Sequence, residues 1–165
     1  MKKPPAAARL RRLRALVLDV DGVLTDGGMY YGPRGEVLKR FHVRDGMGLR
    51  LLREAGLRIA LITGESSDIV RRRARKLKIV DLYTGIEDKS AALDAFLRKR
   101  GLSPAQVAYM GDDVNDLGPL GKVGVSAAPS DAAARVRKAV GWVTALRGGH
   151  GAVREVCDAI LSARG

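Results

Sequence analysis

The sequence predicts an α/β fold: a mostly parallel sheet between two layers of helices, a three-layer sandwich, with one β-hairpin standing apart. Three observations carry this. Short apolar runs alternate with segments of helical periodicity, the pattern of strand–helix–strand units. Several of those runs end in acidic or hydroxyl residues, and in an open parallel sheet ligands gather beyond the carboxyl ends of the strands. One stretch, "GGMYYGPRGEVLKRFHV", instead alternates apolar and polar residues around Gly32-Pro33-Arg34-Gly35, which is hairpin chemistry.

Element by element, the first strand is expected over Ala15–Val20, where "ALVL" runs straight into Asp19 and Asp21. The hairpin follows, and then a helix over Gly46–Glu54 that leads to a strand at Arg58–Ile62. A helix at Ser67–Leu77 precedes a short strand at Asp81–Tyr83, and a helix at Ser90–Arg100 precedes a strand at Val107–Met110. Strands at Val123–Ser126 and Trp142–Thr144 flank a helix at Asp131–Val140, and a last helix covers Ala152–Ala163. Gly56 and Gly101 each follow a helix, where a left-handed residue is expected. Ser103-Pro104-Ala105-Gln106 carries the residues of a capping box, with room for only a turn before the next strand.

At 165 residues the chain fits one domain with a real core, and 46% hydrophobic against 4% aromatic content makes that core aliphatic. Residues 1–14 read as a basic tail, and residues 15–165 as a single domain whose residues 27–43 form the hairpin flap. No run approaches the apolar length of a membrane span, so no membrane partner is expected. The opening residues lack a separate apolar region with a cleavage site, and the single cysteine, Cys157, permits no internal disulfide. A cytoplasmic home is the simplest inference. The net charge of +12 suits either nucleic acid or a small anionic substrate. No aromatics interleave with the basic clusters, so no stacking platform exists and nucleic acid is disfavoured.

The strand ends carry the chemistry. The first ends in Asp19-Val20-Asp21, the second in Thr63-Gly64-Glu65, and the run Gly111–Asp116, "GDDVND", follows a later one. Lys89 opens a helix between the last two. Each piece alone has a plain structural account, as a cap, a turn residue or a solvated side chain. A calcium loop of the EF-hand type fails, because Val114 stands where an oxygen ligand is required. Two like charges at the end of a buried strand are costly to desolvate unless a cation lies between them.

In that order the pieces "DVDGVLTD", Thr63, Lys89 and "GDDVND" resemble the four motifs of the haloacid dehalogenase (HAD) phosphohydrolases, over nearly the whole chain. The resemblance implies a HAD-like Rossmannoid sandwich with Asp19 as nucleophile and Asp21 as general acid/base. It implies that Thr63 and Lys89 hold the transferring phosphoryl group, beside Gly22 and Gly64. Asp19, the Asp21 main-chain carbonyl and Asp112 would ligate Mg²⁺, with Asp113, Asn115 and Asp116 in support. The physics agrees: an anionic nucleophile approaching a phosphate needs cationic charge and oriented donors.

About 40 residues separate Asp21 from Thr63 and about 25 separate Thr63 from Lys89, too few for a cap domain. The chain thereby resembles the capless, tetrameric HAD phosphatases of phosphorylated 2-keto-3-deoxy sugar acids, in which neighbouring copies cover each other's sites. That resemblance makes a homotetramer joined through the hairpin the expected assembly. "FHVRDGMGLR" and "GGHGAVREVCDAIL" look like the enzymes of the eight-carbon substrate, 3-deoxy-D-manno-octulosonate (KDO) 8-phosphate. "TGESSDIVRRRARKLK" is similar to those of the nine-carbon homologue, 2-keto-3-deoxynononate (KDN) 9-phosphate, which implies sugar-acid contacts from Glu65, Arg73 and Lys76. The octulosonate enzymes usually carry Arg where Glu65 stands. His42 and His150 lack neighbouring ligands for a metal, and Cys157 and Trp142 read as core.

Overall fold

The computed structural model describes residues 2–165. Six strands form one parallel sheet in the order β5-β4-β1-β6-β7-β8: β1 (Ala15–Leu18), β4 (Arg58–Ile62), β5 (Asp81–Tyr83), β6 (Val107–Met110), β7 (Val125–Ala128) and β8 (Trp142–Val143). The hairpin, β2 (Tyr30–Gly32) and β3 (Gly35–Leu38), is a separate two-stranded sheet. Its base is stitched to the body by an antiparallel bridge between Thr25 and Phe41. The chain leaves β1 toward β4 on one side and later returns to pair β6 on the other, so the switch point lies at the carboxyl ends of β1 and β6.

The side-chain period of two divides the core. Leu16 and Leu18 face α1 (Ala7–Arg11), α2 (Val43–Glu54), α3 (Asp68–Lys76) and α7 (Ala152–Arg164). Ala15 and Val17 face α4 (Lys89–Arg100), α5 (Leu117–Lys122) and α6 (Ala134–Ala139). Trp142 and Cys157 are buried, as core residues should be. Three helices start on side-chain caps: His42 Nδ1 accepts from Arg44 N at 3.3 Å, Ser67 Oγ from Val70 N at 3.3 Å, and Asp88 Oδ1 from Ala91 N at 2.9 Å. Ser103–Gln106 closes its capping box around one 3₁₀ turn, Pro104–Gln106.

Several boundaries differ from expectation by one to three residues, α2 for instance beginning at Val43 rather than Gly46, and four differences have a tertiary reason. Residues 2–14, most of the expected tail, pack on the body: Leu10 and Leu13 are buried against α7, and Arg11 Nε donates to the Ala163 carbonyl at 2.7 Å. Lys2 joins in, its carbonyl accepting from Val143 N at 3.1 Å beside the edge strand. β7 begins at Val125 rather than Val123, because its register is set by pairing with β6, Ala108 opposite Val125. The helix expected from Asp131 begins at Ala134, since the Asp131 carboxylate instead receives Gly148 N at 2.9 Å and Arg147 Nε at 3.1 Å. Finally "GDDVND", for which no helix is expected, carries a 3₁₀ turn at Val114–Asp116 that runs directly into α5.

Candidate active site

Asp19 lies one residue past β1 and is 5% exposed, its Oδ1 accepting from Val20 N at 2.7 Å. The chain then turns sharply at Gly22, whose φ of 78° favours glycine and whose absent side chain makes room for Asp112: a Cβ there would stand 2.0 Å from Asp112 Oδ2. Buried Thr25 holds the turn, its Oγ1 accepting from Gly22 N at 3.2 Å and Gly27 N at 3.3 Å. Thr63, past β4, is 1% exposed and its Oγ1 accepts from Glu65 N at 3.2 Å. Lys89, the first residue of α4, is 2% exposed and spans two acids, with Nζ 2.9 Å from Asp19 Oδ2 and 2.9 Å from Asp116 Oδ1.

Asp19, Asp112 and Asp116 each bring a carboxylate oxygen within 4.8 Å of the others. Burial and then the charge of Asp116 push Asp19 up to about 8, with Lys89 offsetting only part of this. The same two causes push Asp112 to about 6. Burial works against the Lys89 ammonium, yet Asp19 and Asp116 hold its pKa above the ordinary value. One lysine is therefore too little positive charge for the cluster, and a divalent cation with a preference for oxygen fits what is missing. Asp116 has no capacity left for such an ion. Its Oδ1 receives Tyr109 Oη at 2.8 Å besides Lys89, and its Oδ2 receives Asp112 N at 3.1 Å and Asp113 N at 3.4 Å. Asp19 and Asp112 are the carboxylates free to ligate; Asp116 braces the loop and the lysine.

Asp19, Gly22, Thr63, Lys89 and Asp112 border a cavity of about 290 Å³ that also takes in Asp21, Gly64, Glu65 and Asn115. A family described as haloacid dehalogenase-like hydrolase matches residues 62–155. The 3-deoxy-D-manno-octulosonate 8-phosphate phosphatase KdsC of Salmonella typhimurium is 44% identical over 162 residues, spanning 98% of this chain and 86% of that protein. This chain is a haloacid dehalogenase-like hydrolase. The crystal structure of the Yersinia pestis 3-deoxy-D-manno-octulosonate 8-phosphate phosphatase superposes on this hydrolase with a TM-score of 0.94 at 44% identity, covering 96% of this chain and 85% of that one. The Moraxella catarrhalis enzyme, solved with magnesium, phosphate and a KDO molecule, gives 0.93 at 37% identity over 96% and 91% of the two chains. A cobalt-bound form from Haemophilus influenzae gives 0.93 at 41% identity over 95% and 92%.

Two expected substrate contacts of this HAD phosphatase do not reach the cavity. Arg73 and Lys76 line a separate cleft of about 420 Å³ between α2 and α3. The Arg73 guanidinium lies 5.3 Å from the centre of the Phe41 ring, and burial lowers its pKa. Helix α3 starts at the pocket, capped by Ser67, but its rise carries position 73 away along α2. Glu65, by contrast, stands exposed at the cavity.

Several working side chains escaped the sequence reading. Tyr109 shows only as an apolar strand position, yet its phenol braces Asp116; burial pushes that phenol far up, so it remains a neutral donor. Lys39 reaches Asp21 Oδ1 at 2.6 Å from the foot of the hairpin. Asp45, 1% exposed within α2, accepts from Arg154 N at 2.8 Å and so caps α7. Burial raises the Asp45 pKa against that hydrogen bond. No local pattern marks any of the three.

Proposed function

We propose that this phosphatase hydrolyses the phosphate monoester of a 2-keto-3-deoxy sugar acid, KDO 8-phosphate in the first place, through a phosphorylated Asp19. The observation that carries the reading is the single cavity bordered by Asp19, Asp21, Thr63, Lys89 and Asp112, in a chain 44% identical to the Salmonella octulosonate phosphatase over nearly its whole length. Mg²⁺, held by the Asp19 and Asp112 carboxylates and the Asp21 main-chain carbonyl, supplies the positive charge that lets two anions meet. Lys89 adds a fixed ammonium, and the Thr63 hydroxyl with nearby main-chain N–H groups receives the phosphoryl oxygens. Gly22, Gly64 and Asn115 border the same space, while Asp113 and Asp116 steady the metal side.

An Asp19 oxygen attacks phosphorus, and the bond to the sugar oxygen breaks as Asp21 gives that oxygen a proton. Asp21 then takes a proton from water. The water oxygen attacks phosphorus, the Asp19–phosphorus bond breaks, and inorganic phosphate leaves with Asp19 restored.

Glu65 supports a second reading, the nine-carbon KDN 9-phosphate, because it stands where the octulosonate enzymes usually carry Arg. Phosphate release from both esters, with and without a chelator, decides. Preference for the eight-carbon ester is expected, and activity on neither while an aryl phosphate is cleaved would overturn the sugar-acid assignment. We also propose a cytoplasmic homotetramer joined by the hairpin. Met29, Tyr30, Tyr31, Val37 and Leu38 support this by standing 44–61% exposed on one short flap. Tyr31→Asp should lower the mass measured by light scattering, and an unchanged mass would refute the interface.

A further inference from the structure

Lys39 follows β3 at the foot of the hairpin, where a lysine would ordinarily be solvated, yet its side chain is fully buried, at 0% exposure. Its Nζ stands 2.6 Å from Asp21 Oδ1 and 2.6 Å from Glu36 Oε1. The second oxygen of Glu36 accepts from Ser67 Oγ, and that hydroxyl also caps α3 by accepting from Val70 N. One ammonium thus ties together the hairpin, the start of α3 and the side chain two residues past the nucleophile. On the other side of Asp21, the Thr25 hydroxyl is 3.5 Å from the same Oδ1, while Oδ2 is buried with no donor at all.

Burying an ammonium costs several kcal/mol before its partners repay it. A flap that needed only an anchor would be held at lower cost by an apolar side chain at this position. The partner here, moreover, is the carboxyl group beside Asp19, held through one oxygen while the other has no bond within the fold. An acid/base must stand within hydrogen-bond reach of its proton, and a displacement of about 1 Å costs about 10²-fold in rate.

We propose that Lys39 is a positioning residue for the reaction: gripped by Glu36, it fixes the direction of the Asp21 carboxyl group, so that seating of the hairpin and proton transfer are linked within one chain. This rests on the assignment of Asp21 as acid/base made above. Lys39 touches neither phosphorus nor the leaving oxygen. Its effect falls on the two proton transfers and not on the attack by Asp19.

The leaving group separates these steps. p-Nitrophenolate departs without a proton, whereas the sugar oxygen of KDO 8-phosphate needs one. Lys39→Met should lower kcat on KDO 8-phosphate by about 10²-fold with little change in KM. With p-nitrophenyl phosphate it should release one equivalent of nitrophenolate per site rapidly and then turn over slowly, because water is poorly activated. Equal losses on both substrates without a burst, or wild-type kinetics on both, would overturn the proposal. If Lys39→Met does not fold, as judged by circular dichroism, Lys39→Arg keeps the charge and displaces the carboxyl group, and the same split at smaller size is expected. Asp21→Asn serves as the reference. Were it to hydrolyse both esters at wild-type rate, the Asp21 assignment itself would fall; an impaired Asp21→Asn beside normal Lys39 variants would refute Lys39 alone.

Discussion

Asp81 is the first residue of β5, at the amino edge of the sheet, and Asp19 lies just past β1, at the carboxyl edge. Both are almost wholly buried, 2% and 5% exposed, and the two ends of one helix serve them. The last turn of α4 brings Arg100 onto Asp81 with a forked pair of bonds, 2.8 Å from Nη2 and 2.9 Å from Nε, and Lys99 at 3.1 Å. Burial opposes the Asp81 charge, but Arg100 and Lys99 more than offset it and hold its pKa below the ordinary value. The first residue of α4, Lys89, must be shared between Asp19 and Asp116, and Asp19 stays far above its ordinary value. A satisfied buried acid is architecture. An acid left short of charge, beside a second one, Asp112, in the same state and open to a cavity, is poised to take a cation and to react.

Replacing the nucleophile breaks the comparison most severely. Asp19→Asn should abolish turnover, by about 10⁵-fold or more in kcat. In the same variant the metal-free protein should not lose thermal stability near neutral pH, since the folded Asp19 already holds its proton there and a neutral amide takes the place of a neutral carboxyl group. Retained turnover would eliminate the phosphorylated aspartate.

Chelation sharpens the contrast through its pH dependence. The folded Asp19 binds its proton up to about 8, against 3.8 for an ordinary aspartic acid, so between those limits the folded state holds a proton that the unfolded state has lost. Metal-free stability should therefore fall as pH rises through that window, and Mg²⁺ should flatten the slope by taking the proton's place. Asp81 has the opposite sign: its pKa is lowered, so its contribution is present above 3.8 and is lost as pH falls below it. Melting temperatures across pH, with and without Mg²⁺, check both slopes.

Arg100→Met should cost about 1–3 kcal/mol in denaturant unfolding, because Asp81 keeps only Lys99, while kcat stays unchanged. A matching loss of activity would show that the two edges are not independent. The smallest effect is expected of Tyr109→Phe, which removes one of four donors to Asp116. About 1 kcal/mol of stability and a few-fold loss of kcat should follow, and no change in either would mean that the phenol is idle.

Much of this was legible in one dimension. β4, β5 and β6 occupy the ranges their apolar runs predict, and the hairpin appears where alternation and Gly32-Pro33-Arg34-Gly35 place it. Asp19, Thr63, Lys89 and Asp112 stand at successive strand or helix ends and meet in one cavity. The failures have a common cause. Spacing on α3 groups Arg73 with Lys76, but the direction in which the helix leaves the sheet, which decides what they face, is absent from local spacing. The same holds for α1: a basic stretch reads as solvated until Leu10 and Leu13 are seen beneath α7.

The sequence by itself determined the alternation of elements and the residue at each strand end, because side-chain period and capping are properties of neighbours along the chain, and the resemblance of those strand ends to the HAD motifs implied the chemical class. Only the tertiary structure decided that Asp116 is spent on Tyr109 and Lys89, that Lys39 turns inward to Asp21, and that one acid at the sheet's edge is satisfied while another is not. Charge in a protein is balanced across space, and the charged partners that balance it here lie from 18 residues away, Lys39 to Asp21, to 70, Lys89 to Asp19, along the chain.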